Sequence, residues 1–428
     1  MKITVIGSGY VGLVSGICFA KLGHEVTCVD IDETKIAKLK QGEIPIFEPG
    51  LKELLIDCQK AKTINFSSNL EESLIDAKAV FIAVGTPQDE DGSADLSYVL
   101  RAAKEIAKKS KDQKLIITKS TVPAGSGAKI KDLVKKENPN IDFLVASNPE
   151  FLREGCAIND FMYPDRIVIG IDDAKSEEVL REIYANFASE KIITCDVITA
   201  ELIKYASNSF LATKISFINE MADLCEVVGG NVTKLASAMG KDSRIGEKFL
   251  NVGPGFGGSC FPKDILAILN VAKSNSVDLS LIDSVVNSNK NRIEKMAQKV
   301  LNLLEGEGKK IALLGLAFKG NTDDVRYSPA IAIAQELLKQ NIKILAHDFA
   351  AIENAKKEFL SSNIEFSENV AEVIANVDLI VVATEWKEYC EIDFSIAKNK
   401  KILDLRNILD EKKLENLGFQ YFAIGRKN

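Results

Sequence analysis

The sequence predicts an α/β protein in which two doubly wound domains are joined by a long central helix and a small helical domain. Three observations carry this expectation. A glycine-rich turn, Gly7-Ser8-Gly9-Tyr10-Val11-Gly12, follows the first apolar strand directly. A second succession of strand and helix patterns begins after about residue 304. Between them, residues 199–228 run without glycine or proline and stop at Gly229-Gly230. The resulting parts are 1–196, 197–304 and 305–428.

Lys2 to Ile6 is a short apolar strand, and the turn after it opens a helix that runs to about Leu22. The next strand, Glu25 to Val29, ends in Asp30, where an acid meets the ribose hydroxyls of a bound dinucleotide. Glycines in this spacing are a weak signal alone. Strand, glycines, helix, strand and acid in this order specify a Rossmann-like unit, with Gly7, Gly9, Tyr10, Val11, Gly12 and Asp30 around the cofactor. Asp30 repels a 2′-phosphate, which favours NAD over NADP, and Lys35 nearby pulls the other way.

Strands at Ala79 to Val84, Leu115 to Lys119, Phe143 to Ala146 and Arg166 to Ile171 extend a parallel sheet. Turn or polar residues stand at their carboxyl ends: Gly85-Thr86-Pro87, Ser120-Thr121-Val122-Pro123 and Asn148-Pro149-Glu150. Each loop alone reads as an ordinary turn. Ligands of open α/β sheets lie off the strands' carboxyl ends, so together the loops are expected around the nicotinamide. Glu150-Phe151-Leu152-Arg153-Glu154 then sets two carboxylates around Arg153, either a charge cluster at a helix start or an acid–base site.

As a helix, residues 199–228 span about 45 Å at 1.5 Å per residue. Much of that surface is apolar and must be covered by neighbours or by a second subunit. Lys204 and Asn208 are four apart and share a face. The plain reading is a lysine lying along apolar surface beside a polar residue, and the functional one is an inward pair of donors.

The segment GPGFGGSCFPKD, Gly253 to Asp264, places Cys260 in a turn just before the apolar run ILAILNVA, which reads as a helix with Pro262 and Asp264 in its first turn. Unpaired amides, the helix dipole and Lys263 favour a thiolate there. A lone cysteine is more often a buried structural residue. Glycines at 253, 255, 257 and 258 clear space that a core cysteine does not need, so Cys260 is read as a nucleophile.

In the carboxyl part, Ile311 to Ala317, Ile342 to Ala346, Asp378 to Ala383 and Lys401 to Leu405 read as strands, and a helix starts at Ser328-Pro329. The glycine fingerprint is missing. Its place is taken by the longer, charged stretch Phe318 to Arg326, which suits a nucleotide other than a second NAD.

A net charge of -7 argues against nucleic acid or an anionic membrane as partner, and no run is long and apolar enough to cross a bilayer. Four glycines interrupt the first twenty residues, which therefore read as strand and helix and not as a signal peptide. Eight scattered cysteines show no zinc-like spacing, which points to a reducing compartment and no metal. With only His24 and His347 in the chain, acid–base work falls to Lys, Asp and Glu. Two nucleotide-sized folds and a reactive thiol suggest oxidation of an alcohol to an acid. The thiolate captures the intermediate aldehyde, a thioester forms and is hydrolysed, and two NAD are consumed.

Taken together, GSGYVG, KSTVPAG, NPEFLREG, ELIKYASNSFLATKISFINE, FLNVGPGFGGSCFPKD and FKGNTDDVR resemble the UDP-glucose/GDP-mannose dehydrogenase family over essentially the whole chain. The resemblance implies a cytoplasmic homodimer that oxidises UDP-glucose to UDP-glucuronate with NAD, with GDP-mannose or a UDP-N-acetylhexosamine as the alternative substrate. The segment FGGSCFPKD favours UDP-glucose. By the same resemblance Cys260 is the nucleophile, Lys204 and Asn208 stabilise oxyanions, Asp264 handles protons through water, Glu150 serves thioester hydrolysis, and Thr121 joins the catalytic set. Thr86, Thr121, Glu154, Lys263 and Arg326 touch NAD, with Lys35 beside Asp30. Glu150, Phe151, Leu152, Arg153 and Glu154 border the sugar along with Lys204 and Asn208. Phe249, Leu250, Asn251, Val252, Gly253, Gly257, Lys319 and Arg406 hold the UDP-sugar, and Arg244 reaches a substrate in the neighbouring subunit. Tyr327 stands where the family carries a glutamate, which bears on the charge balance around Arg326. A nucleotide-sugar sensor without catalysis is the rival from another class, and the intact Cys260, Lys204, Asn208 and Asp264 speak against it.

Overall fold

The computed structural model describes residues 1–89, 91–304, 309–359 and 363–427. The expected start of the third part at residue 305 and its end at residue 428 lie outside the described residues. The chain divides into two compact units, 1–207 with 266–277 and 208–265 with 278–428.

In the first unit the strands are β1 (Lys2–Ile6), β2 (Glu25–Val29), β3 (Ile64–Ser67), β4 (Ala79–Ile82), β5 (Leu115–Thr118), β6 (Leu144–Ser147), β7 (Ile167–Gly170) and β8 (Ile192–Cys195). Among the described residues they form one sheet in the order β3-β2-β1-β4-β5-β6-β7-β8. The order reverses between β1 and β4, the switch point at which doubly wound sheets open a crevice. Alternation along β4 shows why both faces are covered. Ala79 and Phe81 pack with Leu13 and Ile17, whereas Val80 and Ile82 pack with Val99 and Ile106.

Pairing is parallel from β3 to β6, but β7 is antiparallel to β6 at Ser147 and Gly170. The strand expected at Arg166 to Ile171 therefore departs from the parallel sheet read from the sequence. A parallel neighbour needs a crossover over the sheet face. Here the chain stays at the carboxyl edge instead, where the Glu48 carboxylate accepts from the amides of Gly155 and Ala157, both at 2.7 Å, and holds the start of the helix Ala157–Met162. β7 then enters from that edge.

The second unit holds β9 (Lys310–Leu314), β10 (Lys343–His347), β11 (Ile364–Phe366), β12 (Leu379–Val382), β13 (Lys401–Asp404) and β14 (Gln420–Ala423). They are wholly parallel in the order β11-β10-β9-β12-β13-β14. β9 stops short of the expected Ala317 because Gly315 turns the chain at φ 100°. Pro329 opens the next helix, Pro329–Lys339.

The long helix runs Val197–Val228 and passes from the first unit into the second. Both histidines are structural. His24 Nε2 meets the Ile183 carbonyl at 2.9 Å, His347 Nδ1 meets the Tyr389 hydroxyl at 3.0 Å, and burial lowers the pKa of each. Among the described residues no helix is long and apolar enough to cross a membrane, and no cluster of three or more His, Cys, Asp or Glu could hold a metal ion.

Candidate active site

The glycine turn of the first unit has the geometry a dinucleotide needs. Gly7 sits at φ 97°, and a Cβ there would lie 2.6 Å from the Ala83 carbonyl oxygen. A Cβ on Gly12 would collide with the Gly7 carbonyl, whereas one on Gly9 would meet nothing within 4 Å. The middle glycine thus leaves room for a pyrophosphate to approach the backbone. No side chain caps the helix Tyr10–Lys21 that begins after Gly9, so its positive end faces the same space. Asp30 closes the turn by accepting from the Ser8 amide at 2.8 Å and from Lys35 Nζ at 3.1 Å. Burial pushes its carboxyl up, and the amides of Ser8 and Asp32 together with Lys35 outweigh that and hold it below the usual range. These residues fit a bound NAD.

In the second unit the residue that corresponds to Asp30 is spent on the surrounding backbone. Asp348 follows β10 as Asp30 follows β2, but its Oδ2 accepts from the Leu316 and Ala317 amides at 2.7 and 3.0 Å and from Trp386 Nε1 at 3.2 Å. Its Oδ1 takes the amides of Ala350 and Ala351. The carboxylate is consumed by the fold.

At the edge of the first sheet, Glu150 and Lys204 form a buried ion pair, Oε1 to Nζ 3.0 Å, with side chains only 4% and 5% exposed. Glu150 Oε2 also accepts from the Leu152 amide at 2.6 Å. Phe151 lies against this pair, with the Arg166 guanidinium 3.8 Å and Lys204 Nζ 5.5 Å from its ring centre. The segment from Glu150 to Glu154 is a loop and not a helix start. Arg153 pairs with Asp160 at 2.6 Å on the exposed side of it.

In the second unit Cys260 immediately precedes the helix Phe261–Ser274, and its carbonyl accepts from the Asp264 amide at 2.9 Å, so it occupies the N-cap. Asp264 is 1% exposed and is held from both sides: Oδ2 accepts from Asn208 Nδ2 at 2.7 Å, and Oδ1 pairs with Lys263 Nζ at 2.7 Å. The preceding glycines are needed for close approach. A Cβ on Gly253 would lie 2.9 Å from Arg406 Nη1, one on Gly257 would strike the Tyr327 carbonyl, and one on Gly258 would lie 2.8 Å from the Phe318 ring. Phe249 has φ 65°, an uncommon conformation for so bulky a residue, and it marks a constrained loop.

Residues 1–188 match the NAD binding domain of the UDP-glucose/GDP-mannose dehydrogenase family, residues 198–291 its central domain and residues 312–411 its UDP binding domain. The chain belongs to this family. It is 49% identical over 435 residues to a UDP-glucose 6-dehydrogenase of Rickettsia felis, covering 100% of this chain and 97% of that protein. Its fold superposes with TM-score 0.91 on a UDP-glucose dehydrogenase of the archaeon Pyrobaculum islandicum, at 36% identity and covering 100% and 98% of the two chains. A UDP-D-ManNAc dehydrogenase of Pyrococcus horikoshii follows at TM-score 0.86 and 29% identity, covering 100% and 99%.

Thr86 is buried, Thr121 and Glu154 are half-buried, and Leu250, Val252 and Gly257 are buried while Asn251 is exposed. Arg326 pairs with Asp324 at 2.6 Å, and its neighbour Tyr327 is exposed at φ 51°. Lys319 Nζ lies 5.4 Å from the Phe318 ring centre. Arg406 donates to the carbonyls of Ala383 and Phe318 at 2.9 and 3.0 Å. Arg244 pairs with Asp242 and is 87% exposed.

The sequence reading missed Glu48 and Lys119. Lys119 ends β5's apolar run inside the quoted KSTVPAG, and that polar stop is the one signal that could have flagged it. Its ammonium is buried, donating to Asn148 Oδ1 at 2.9 Å and lying 3.4 Å from the Tyr184 hydroxyl. Burial lowers it from the lysine value of 10.5 to about 8, with Glu150 opposing the shift and Lys204 adding to it. A lysine held below its unfolded value weakens the fold fully under about pH 8, and the penalty fades as the pH climbs toward about 10.5. Lys119→Met is therefore expected to raise the unfolding free energy near pH 7 by up to about 3 kcal/mol, and to raise it much less near pH 10. Tyr184 keeps the Asn148 oxygen bonded at 2.5 Å in that variant. Urea titrations at the two pH values measure the difference, and equal or lower stability near pH 7 rejects the expectation.

Proposed function

We propose that the protein is an NAD-dependent UDP-glucose 6-dehydrogenase that oxidises the primary alcohol of UDP-glucose to the carboxylate of UDP-glucuronate. The observation that carries this is Cys260 at the N-cap of its helix beside the Asn208–Asp264 pair, in a chain that also has an open dinucleotide turn. Oxidation of an alcohol only as far as a carbonyl needs no thiol. Oxidation to an acid needs an aldehyde retained, and a sulfur nucleophile does that.

NAD supplies the hydride acceptor for both oxidations, so one alcohol and one water become a carboxylate with two NADH and three protons released. Gly7, Gly9, Gly12 and Asp30 hold it, joined by Tyr10, Val11, Thr86, Thr121, Glu154, Lys263 and Arg326. Cys260 Sγ adds to the aldehyde carbon, and the thiohemiacetal oxygen becomes negative as it does so. Lys204 and Asn208, one turn apart on the long helix, donate to that oxygen. Asp264 accepts the alcohol proton through water. Glu150 takes a proton from the water that attacks the thioester, and the C–S bond breaks to return the thiolate.

The full-length relative of Rickettsia felis and the fold neighbour of Pyrobaculum islandicum support glucose over the acetylhexosamine alternative. NADH release from UDP-glucose, GDP-mannose and UDP-N-acetylmannosamine tests this. Two NADH per UDP-glucose are expected, preference for another sugar overturns the substrate, and no NADH from any leaves a sensor. Asp30, with Lys35 already bound to it, should make NAD better than NADP by about tenfold or more in kcat/KM. Equal efficiency with both rejects that role.

The functional division follows 1–196, 197–304 and 305–428. The working form is a homodimer. Phe210, Phe217 and Leu224 recur every seven residues along the long helix and are 65%, 42% and 52% exposed in the single chain, an apolar stripe that a second copy would cover. Arg244 extends toward a partner's substrate in this arrangement. Phe210→Glu with Phe217→Glu should halve the mass seen by light scattering, and a native protein already monomeric rejects the assembly. None of the eight cysteines is in a disulfide, which supports the reducing cytoplasm as its compartment.

A further inference from the structure

Residues 253–258 are buried throughout and belong to no helix or strand, so their amides and carbonyls must find partners outside regular structure. Side chains supply several of them. Asn289 Oδ1 accepts from the Phe256 amide at 2.8 Å while its Nδ2 donates to the Phe256 carbonyl at 3.0 Å, so one amide side chain pairs with Phe256 as a neighbouring strand would. Three residues on, Arg292 Nε donates to the Gly253 carbonyl at 3.1 Å. The Gly253 amide in turn donates to Asn219 Oδ1 at 2.9 Å. Both ends of the run 253–256 are thereby fixed to helices.

The anchors are themselves fixed. Asn289 and Arg292 share a face of the helix Ser280–Leu303. Arg292 Nη1 donates to the Asn219 carbonyl at 3.1 Å and pairs with Asp223, which also takes Lys295 Nζ at 2.7 Å. Arg292 is 3% exposed, and among the described residues its Nη2 has no hydrogen-bond partner. Burying a guanidinium with one donor unmet is costly, and an apolar side chain would pack more cheaply. A Cβ on Gly255 would lie 2.9 Å from Asn289 Oδ1, so the glycine is what lets the amide come close.

We propose that Asn289 and Arg292 are positioning residues for the reaction: they set the backbone of Gly253 to Phe256, and through it the substrate loop before and Cys260 after. This rests on the dehydrogenase reading for the role of the loop. The geometry around Cys260 does not depend on that reading, and the two are tested separately. Asn289→Leu removes both bonds to Phe256 at similar volume, Asn289→Asp keeps the acceptor and loses the donor, and Arg292→Lys keeps the charge and loses the planar fork.

Measured on the full-length protein and normalised to folded enzyme, Asn289→Leu should raise the KM for UDP-glucose about tenfold or more while the KM for NAD stays within about twofold. It should also change the rate at which iodoacetamide alkylates Cys260 with no substrate present, read by peptide mass. Asn289→Asp and Arg292→Lys should fall between it and the native protein, and they carry the test if Asn289→Leu does not fold. Lowered melting temperatures with native alkylation rates and native values of both KM would make these residues scaffold only and overturn the proposal, as would equal rises in the two KM values. If the native protein does not oxidise UDP-glucose, the dehydrogenase reading fails, and the alkylation rates still decide whether these side chains position Cys260.

Discussion

Glu150→Gln, mixed with UDP-glucose and NAD, is expected to release a burst of NADH approaching two per active site and then to turn over slowly. The order of steps requires it if Glu150 activates the water that cleaves the thioester. Removing the carboxylate's basicity leaves both oxidations possible and slows only the last step, so the covalent intermediate accumulates. The substitution also leaves the buried Lys204 ammonium without its counter-charge, so the burst is normalised to folded enzyme. The pocket already presents two donors to Glu150, Lys204 Nζ at 3.0 Å and the Leu152 amide at 2.6 Å, and the glutamine oxygen can accept from one of them. Each carboxylate oxygen of the native residue has a second lone pair, so these bonds do not bar a water. Intact mass after acid quench should show a substrate adduct on the peptide holding Cys260. Cys260→Ala should show neither burst nor adduct, because no sulfur retains the aldehyde. Slow turnover without burst or adduct would move the hydrolytic role to Glu154 or Asp264.

The first strand, glycine turn, helix, second strand and acid were legible almost to the residue, because Gly7, Gly12 and Asp30 are fixed by local backbone geometry and Gly9 leaves the space a ligand needs. The helix expected at 199–228 appears as Val197–Val228 for a similar reason: it has no breaker until Gly229. Strand direction was less accessible. Nothing within Ile167–Gly170 says that it will oppose β6; the Glu48 bonds that hold the connecting segment come from more than a hundred residues earlier in the sequence. The short strands β3, β8, β11 and β14 went unread, since β3 alternates buried and exposed residues over only four positions and β8 has no fully buried residue. Helix spacing put Lys204 and Asn208 on one face but could not show that each meets a carboxylate, Glu150 and Asp264 respectively. Asn289 and Arg292 stand in a run, NSNKNRIEK, whose composition looks like a solvated helix face, and only the buried backbone of Gly253 and Phe256 reveals their use.

The Glu150–Lys204 pair makes Lys204→Ala a test with two separable consequences. As an oxyanion donor acting in the transition state, Lys204 should cost about a hundredfold or more in turnover when removed, with a smaller change in substrate affinity. As the buried partner of Glu150, it should also cost stability, because breaking a buried ion pair leaves an uncompensated charge worth about 3–5 kcal/mol. The Leu152 amide still serves that carboxylate, so the lower end of the range is expected. Pairing Lys204→Met with Glu150→Gln removes both charges while filling the space, and it should recover most of the lost stability and none of the activity. The coupling energy from Lys204→Met, Glu150→Gln and the two combined then measures the pair itself. A Lys204→Ala protein with native turnover and only a raised KM would make Lys204 a binding residue. A Lys204→Met protein that keeps native stability where Lys204→Ala loses it would show that the stability came from packing of the lysine stem against Phe151 rather than from its charge.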